Sequence, residues 1–155
     1  MEPPDSSFLV TVDDECASSG VDEEGLRATA ARALAACDVH AGAHLAITLV
    51  DPPRMAELKE QALGFHEETD VLAYPMDGVE ASPGPFVLGD IVLCPAVAER
   101  QARAAGRTPT EETADLLVHG ILHLLGWDHA DPDTERSMFA EQARILAQVT
   151  MERTT

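Results

Sequence analysis

Apolar residues along this chain fall into short extended runs that alternate with longer stretches of helical period. Phe8 to Val12 reads as a strand, Phe-Leu-Val-Thr-Val. Asp22 to Cys37 is rich in Ala, with Asp22, Glu23 and Glu24 at its start, where acids suit the helix dipole. His44 to Val50 alternates and is partly β-branched, a second strand. Pro52-Pro53 then opens a helix through about Leu63. Val71 to Tyr74 and Val87 to Leu93 predict two more strands, joined by a Pro- and Gly-rich loop from Pro75 to Pro85. Pro95 to Ala105 predicts a helix ending at Gly106. Thr110 reads as the start of the next helix, Glu111 to Leu125, which stops at Gly126. Asp133 to Val149 is the last, opened by an Asp or Thr cap. The order β-α-β-α-β-β-α-α-α predicts an α/β fold of the α+β type, with a mixed sheet of about four strands packed with about five helices.

Composition adds bounds to this picture. The chain has 155 residues, one domain's worth, so a single domain over residues 1–155 is expected. Six aromatics in all (Phe8, Phe65, Tyr74, Phe86, Trp127, Phe139) leave the core to aliphatic residues. No apolar run approaches the roughly 20 residues that span a membrane. The first residues, Met1-Glu2-Pro3-Pro4-Asp5, are acidic and lack an apolar stretch, so no signal peptide is expected. Cys16, Cys37 and Cys94 are odd in number and widely spaced, which suits reduced thiols in a cytoplasmic protein. The net charge of -18, from 28 acids against 10 bases, argues against a nucleic-acid partner when taken alone. The charges are uneven, however. Eight acids and no base lie between Met1 and Glu24, whereas Ile91 to Arg107 holds Arg100, Arg103 and Arg107 against Glu99. Those arginines stand at i, i+3 and i+7 and are candidates for RNA contact; the alternative is a solvated face paired with acids.

The candidate chemistry is concentrated in His119-Gly-Ile-Leu-His123-Leu-Leu-Gly126-Trp-Asp128-His129. His119 and His123 are four apart, so they share one helical face a turn apart. Gly126 permits a left-handed turn, and His129 can return over the same face. The two helical histidines sit in an otherwise apolar stretch, where unpartnered imidazoles would be costly. Three imidazoles leave a fourth position for water, the pattern of a catalytic zinc site at a helix end. One Zn²⁺ ion is therefore expected, other divalent transition metals being alternatives. The spacing matches the metzincin pattern H-E-x-x-H-x-x-G-x-x-H, but the position of its general base is Gly120, which carries no base.

The whole histidine segment resembles the YbeY family of bacterial metal-dependent endoribonucleases. Thr69-Asp70-Val71-Leu72-Ala73-Tyr74-Pro75 is similar to that family's Thr-Asp-Val-Leu-Ser-Phe-Pro segment, and Gly89-Asp90-Ile91 to its Gly-Asp-Ile strand. The resemblance implies a zinc ion on His119, His123 and His129. It also implies single-strand-specific cleavage of RNA in ribosomal RNA processing, at the small-subunit 3′ end, and in ribosome quality control. A ribosome, ribosomal protein or GTPase partner would follow, with no DNA or membrane partner. Asp90 and Asp128 are candidate catalytic carboxylates, able to orient water or an imidazole; both have plainer readings as turn or strand-end residues. Many family members carry an Arg where this chain has Leu63, and no Lys or Arg occurs between Gln61 and Glu99; His66 is the nearby substitute considered. Two rival readings stand beside this one. The first is a metal-dependent hydrolase of a peptide or small ester. The second is a non-catalytic ribosome-assembly factor with a structural metal, which Cys94 or Asp90 as a fourth ligand would favour.

Overall fold

The computed structural model of the chain describes residues 8–16, 20–61, 71–76, 86–127 and 131–154, with side chains to residue 149. The elements in chain order are β1 (Leu9–Asp14), α1 (Glu23–Ala36), β2 (Ala43–Leu49), α2 (Pro52–Gln61), β3 (Val71–Pro75), β4 (Phe86–Leu93), α3 (Pro95–Ala105), α4 (Pro109–Leu124) and α5 (Pro132–Thr154). This is the order and the fold class that the hydrophobic pattern predicts. The expected end of the second helix near Leu63 lies outside the described residues, as does most of the Pro75 to Pro85 loop.

The strands form one mixed sheet in the order β1-β2-β4-β3. β1 pairs with β2 and β2 with β4 in parallel, whereas β3 runs antiparallel along β4 as an edge. The pairing of β2 with β4 shifts register between His44 and Leu45, which face Val87 and Gly89, so Leu88 is the extra residue of a bulge. The sheet divides its side chains between two clusters. Leu45, Ile47, Leu88, Ile91 and Leu93 join residues of α1, α4 and α5 in the larger one. Val50, Met55, Leu72, Val92 and Cys94 form a smaller one on the other face, where α2 contributes Met55.

Helix α4 lies at the centre. It touches β3, β4, α1, α3 and α5, and Leu117, Val118, Ile121 and Leu122 are fully enclosed. That surrounding explains a helix apolar on nearly every side. Its start differs from the sequence expectation. Thr108, not Thr110, is the cap: its hydroxyl accepts from the Glu111 backbone N–H at 3.1 Å, while the Glu111 carboxylate accepts from the Thr108 N–H at 2.9 Å. Pro109 takes the first helical position, where its missing N–H costs nothing. Gly126 closes the helix with φ of +96°, as expected of a left-handed glycine. Asp131 starts α5, its carboxylate accepting from the N–H groups of Asp133 and Thr134 at 3.0 and 2.9 Å. No helix among the described residues is long and apolar enough to cross a membrane.

The three cysteines are free thiols. Burial and the neighbouring Asp14 carboxylate push the Cys16 thiol up to about 12. Burial, with Glu141 nearby, pushes Cys37 up to about 11. Both thiols stay protonated at neutral pH, which removes them as nucleophiles.

The capping box makes α4 dependent on a carboxylate. Hydrogen bonds from the Thr108 backbone and hydroxyl hold Glu111 below its ordinary value of 4.5. A carboxylate lowered on folding contributes fully above its unfolded value and loses that contribution as pH falls through the folded one. Acid titration of the wild type should therefore show a loss of stability below about pH 4.5 that Glu111→Gln lacks; identical profiles would refute the assignment. Thr108→Ala should cost about 1 kcal/mol in denaturant unfolding. A Cβ on Gly89 would lie 2.5 Å from the Tyr74 carbonyl oxygen and 2.8 Å from Leu124 Cδ2. Gly89→Ala should thus lose about 1–3 kcal/mol, read as a fall in Tm of roughly 2–4 °C per kcal/mol. An unchanged Tm would contradict that packing.

Candidate metal centre

The apolar core of α4 contains two imidazoles near its C-terminal end. Their spacing puts them on one face, and packing against α5 buries that face. His119 is 4% exposed, whereas His123 is half-buried. The two Nε2 atoms stand 3.1 Å apart, and the rings meet edge to face with centroids 4.6 Å apart. Two nitrogens bound to one tetrahedral zinc at about 2.0–2.1 Å would lie about 3.3 Å apart. The observed separation is close to that value, so the pair fits a shared cation.

The far side of His119 is also engaged. Its Nδ1 lies 2.9 Å from Oε1 of Gln142 on α5. Gln142 in turn donates through Nε2 to Oδ1 of Asp115, one turn before His119 on α4. The guanidinium of Arg107 donates to Asp115 at 3.4 Å, to Glu112 at 3.0 Å and to the Glu111 carbonyl at 3.1 Å. No buried side-chain polar atom among the described residues lacks a partner. Sequence reasoning does not find Gln142. The available signal is a single polar residue, 8% exposed, on the buried stripe of α5 with Met138, Ile145 and Val149.

Gly120 has a packing reason. A Cβ there would sit 3.1 Å from Val71 Cγ2 and 3.2 Å from Ile91 Cδ1. The helix is seated so closely on β3 and β4 that a side chain at that position requires its neighbours to give by a few tenths of an ångström.

The other predicted site residues are distributed as follows. His129 and Asp128 lie outside the described residues, as do Leu63, His66, Thr69 and Asp70. Among the described residues no group of three or more His, Cys, Asp and Glu is arranged to hold a metal; the pair at 119 and 123 supplies two donors. Asp90 lies opposite Ala46 and Tyr74 in the sheet. Ile91 faces Gly120, so by strand alternation Asp90 projects from the opposite sheet face and not toward α4. Cys94 belongs to the smaller cluster with Val92 and Leu72, away from the imidazoles. Of the three arginines, Arg107 is turned onto the acids of α4 and Arg103 pairs with Glu99 at 2.7 Å; Arg100 is exposed.

Comparison with known proteins adds an independent line. A curated relative from Corynebacterium kroppenstedtii named Endoribonuclease YbeY is 46% identical over 146 residues, covering 89% of this chain and 72% of the relative. One of the same name from Salinispora tropica is 49% identical over 137 residues, covering 82% of this chain and 87% of the relative. The solution structure of TM1509 from Thermotoga maritima superposes with a TM-score of 0.62 at 25% identity, covering 95% of this chain and 91% of that one. The family described as Endoribonuclease YbeY matches residues 11–150. With nine-tenths of its length inside that match and near-half identity to its members, this chain belongs to the Endoribonuclease YbeY family.

Proposed function

We propose that this protein is an endoribonuclease whose activity depends on a metal ion, most simply zinc, held by His119, His123 and His129. The observation that carries this reading is the convergence of two imidazole Nε2 atoms at 3.1 Å inside an apolar helix. Family membership supports the RNA substrate. When bound, such an ion supplies Lewis acidity toward a phosphate oxygen and a water of lowered pKa. The chain's own residues do the rest. α4 holds the imidazoles a turn apart on one face, and α5 engages His119 through Gln142. The similarity of the histidine, Thr-Asp-Val-Leu and Gly-Asp-Ile segments to the family supports the finer proposal. It is cleavage of single-stranded ribosomal RNA in the cytoplasm, at the small-subunit 3′ end and in ribosome quality control, with a ribosomal protein or GTPase delivering the substrate. Asp128 remains the proposed carboxylate for orienting water. Asp90 is the weaker one, because its face of the sheet points away from α4.

The rival peptide hydrolase has less to stand on. Its general base would occupy position 120, which here is a glycine packed closely against Val71 and Ile91.

The purified protein with zinc should cut a single-stranded RNA oligonucleotide. His123→Ala should cut it at least about a hundredfold more slowly, more than the roughly 10- to 100-fold cost of losing an outer partner. Equal cleavage by both proteins would mean a contaminating nuclease and would overturn the proposal. Arg107 is committed to the acids of α4, so a phosphate contact from α3 rests on Arg100 and Arg103. Their joint replacement by Ala should lower the slope of log affinity against log salt by up to about two. An unchanged slope would remove α3 from the RNA surface.

A further inference from the structure

The hydrogen bonds behind His119 have only one consistent direction. A guanidinium donates and never accepts, so the Arg107 end fixes the Asp115 carboxylate as an acceptor. A carboxylate cannot donate, so Gln142 must turn its amide nitrogen toward Asp115 Oδ1. That places the amide oxygen 2.9 Å from His119 Nδ1. An oxygen there can only accept, so the hydrogen of the neutral ring sits on Nδ1. Nε2 is then left with its lone pair, facing His123 at 3.1 Å. Each step follows from the one before, starting at an arginine in the turn between α3 and α4.

We propose that Gln142, held by Asp115 and Arg107, is a positioning residue that locks His119 in the Nδ1–H tautomer and so reserves Nε2 as a metal donor. This rests on the metal reading above and deepens it. The burial of both partners makes the lock firm: with His119 4% and Gln142 8% exposed, water has little room to substitute for either. A free imidazole divides its hydrogen between the two nitrogens, and a metal must then select the correct form. Here the selection is made by folding, before any ion arrives.

The test uses the full chain, zinc as the probe, and two readouts. The first is the nitrogen-15 signature of the His119 ring in zinc-free protein, which reports the tautomer directly. The second is zinc affinity by competition with a chromophoric chelator. The wild type should show hydrogen on Nδ1. Gln142→Leu should lose that preference and bind zinc roughly 10- to 100-fold more weakly, the range for outer partners of ligating imidazoles. Asp115→Asn should also weaken binding, because the new amide can donate to Gln142 and let the Gln142 amide turn over. It should have no further effect once Gln142→Leu is present. The paired exchange Gln142→Glu with Asp115→Asn should recover affinity. The carboxylate then on α5 accepts from Nδ1–H through one oxygen, while the amide then on α4 donates to the other. A purely packing role would not be restored by that exchange. Asp115 is only partly buried, so Asp115→Asn and the exchange keep the test open should Gln142→Leu fold poorly.

Hydrogen on Nε2 of wild-type His119 would overturn the proposal. So would zinc binding that is unchanged by Gln142→Leu while His123→Ala abolishes it; that result would leave the metal reading intact. A wild type that binds no zinc would overturn the metal reading and the positioning role together.

Discussion

Helix α4 rests on the sheet so closely that glycine is the residue that fits without displacing its neighbours. The 3.1 and 3.2 Å spaces around Gly120 are filled by Val71 and Ile91, so the helix axis is pinned against β3 and β4 at the level of the histidines. Once the helix is seated there, α1, α3 and α5 close over its remaining sides. Any polar group it carries must then find a partner inside the protein, because desolvating an unpaired imidazole is costly. The partners of His119 follow from that constraint. One nitrogen faces His123 and the other faces Gln142, the polar residue on the buried stripe of α5.

Much of this is legible in the sequence, for definite physical reasons. The strands announce themselves by alternation, and the helices by Ala, Leu and terminal Pro or Gly. The expected α3 coincides with the observed Pro95–Ala105 because both its ends carry such signals, Pro95 and Gly106. The start of α4 is misplaced at Thr110, although the Thr108-x-x-Glu111 spacing and Pro109 mark the true cap. The i, i+4 pair of histidines is legible because helical geometry alone brings them together. Gln142 is not, because its role depends on how α5 packs on α4, which no local pattern encodes. The placement of Asp90 is hidden for another reason. Both faces of β4 are covered by apolar clusters, so alternation groups Asp90 with Val92 without telling which face meets α4.

Charge is informative here by location and not by sum. The net value of -18 suggests repulsion from RNA, yet the acids that matter most to the site lie behind it. Glu112 and Asp115 gather Arg107, Asp115 orders Gln142, and Gln142 orders an imidazole. One arginine of the basic stripe is thereby turned onto the acids behind the imidazole pair.

The sheet order β1-β2-β4-β3 also sets a hierarchy of attachment. β3 precedes β4 along the chain, yet it reaches the rest of the sheet only through β4. It is an edge strand, paired on one side only and held on its face by α4. Because β3 supplies Val71, part of the floor beneath Gly120, the imidazole pair keeps its working arrangement only while that edge is in place. The spacing of two side chains on a central helix is thus tied to a strand at the margin of the sheet, far from them along the chain.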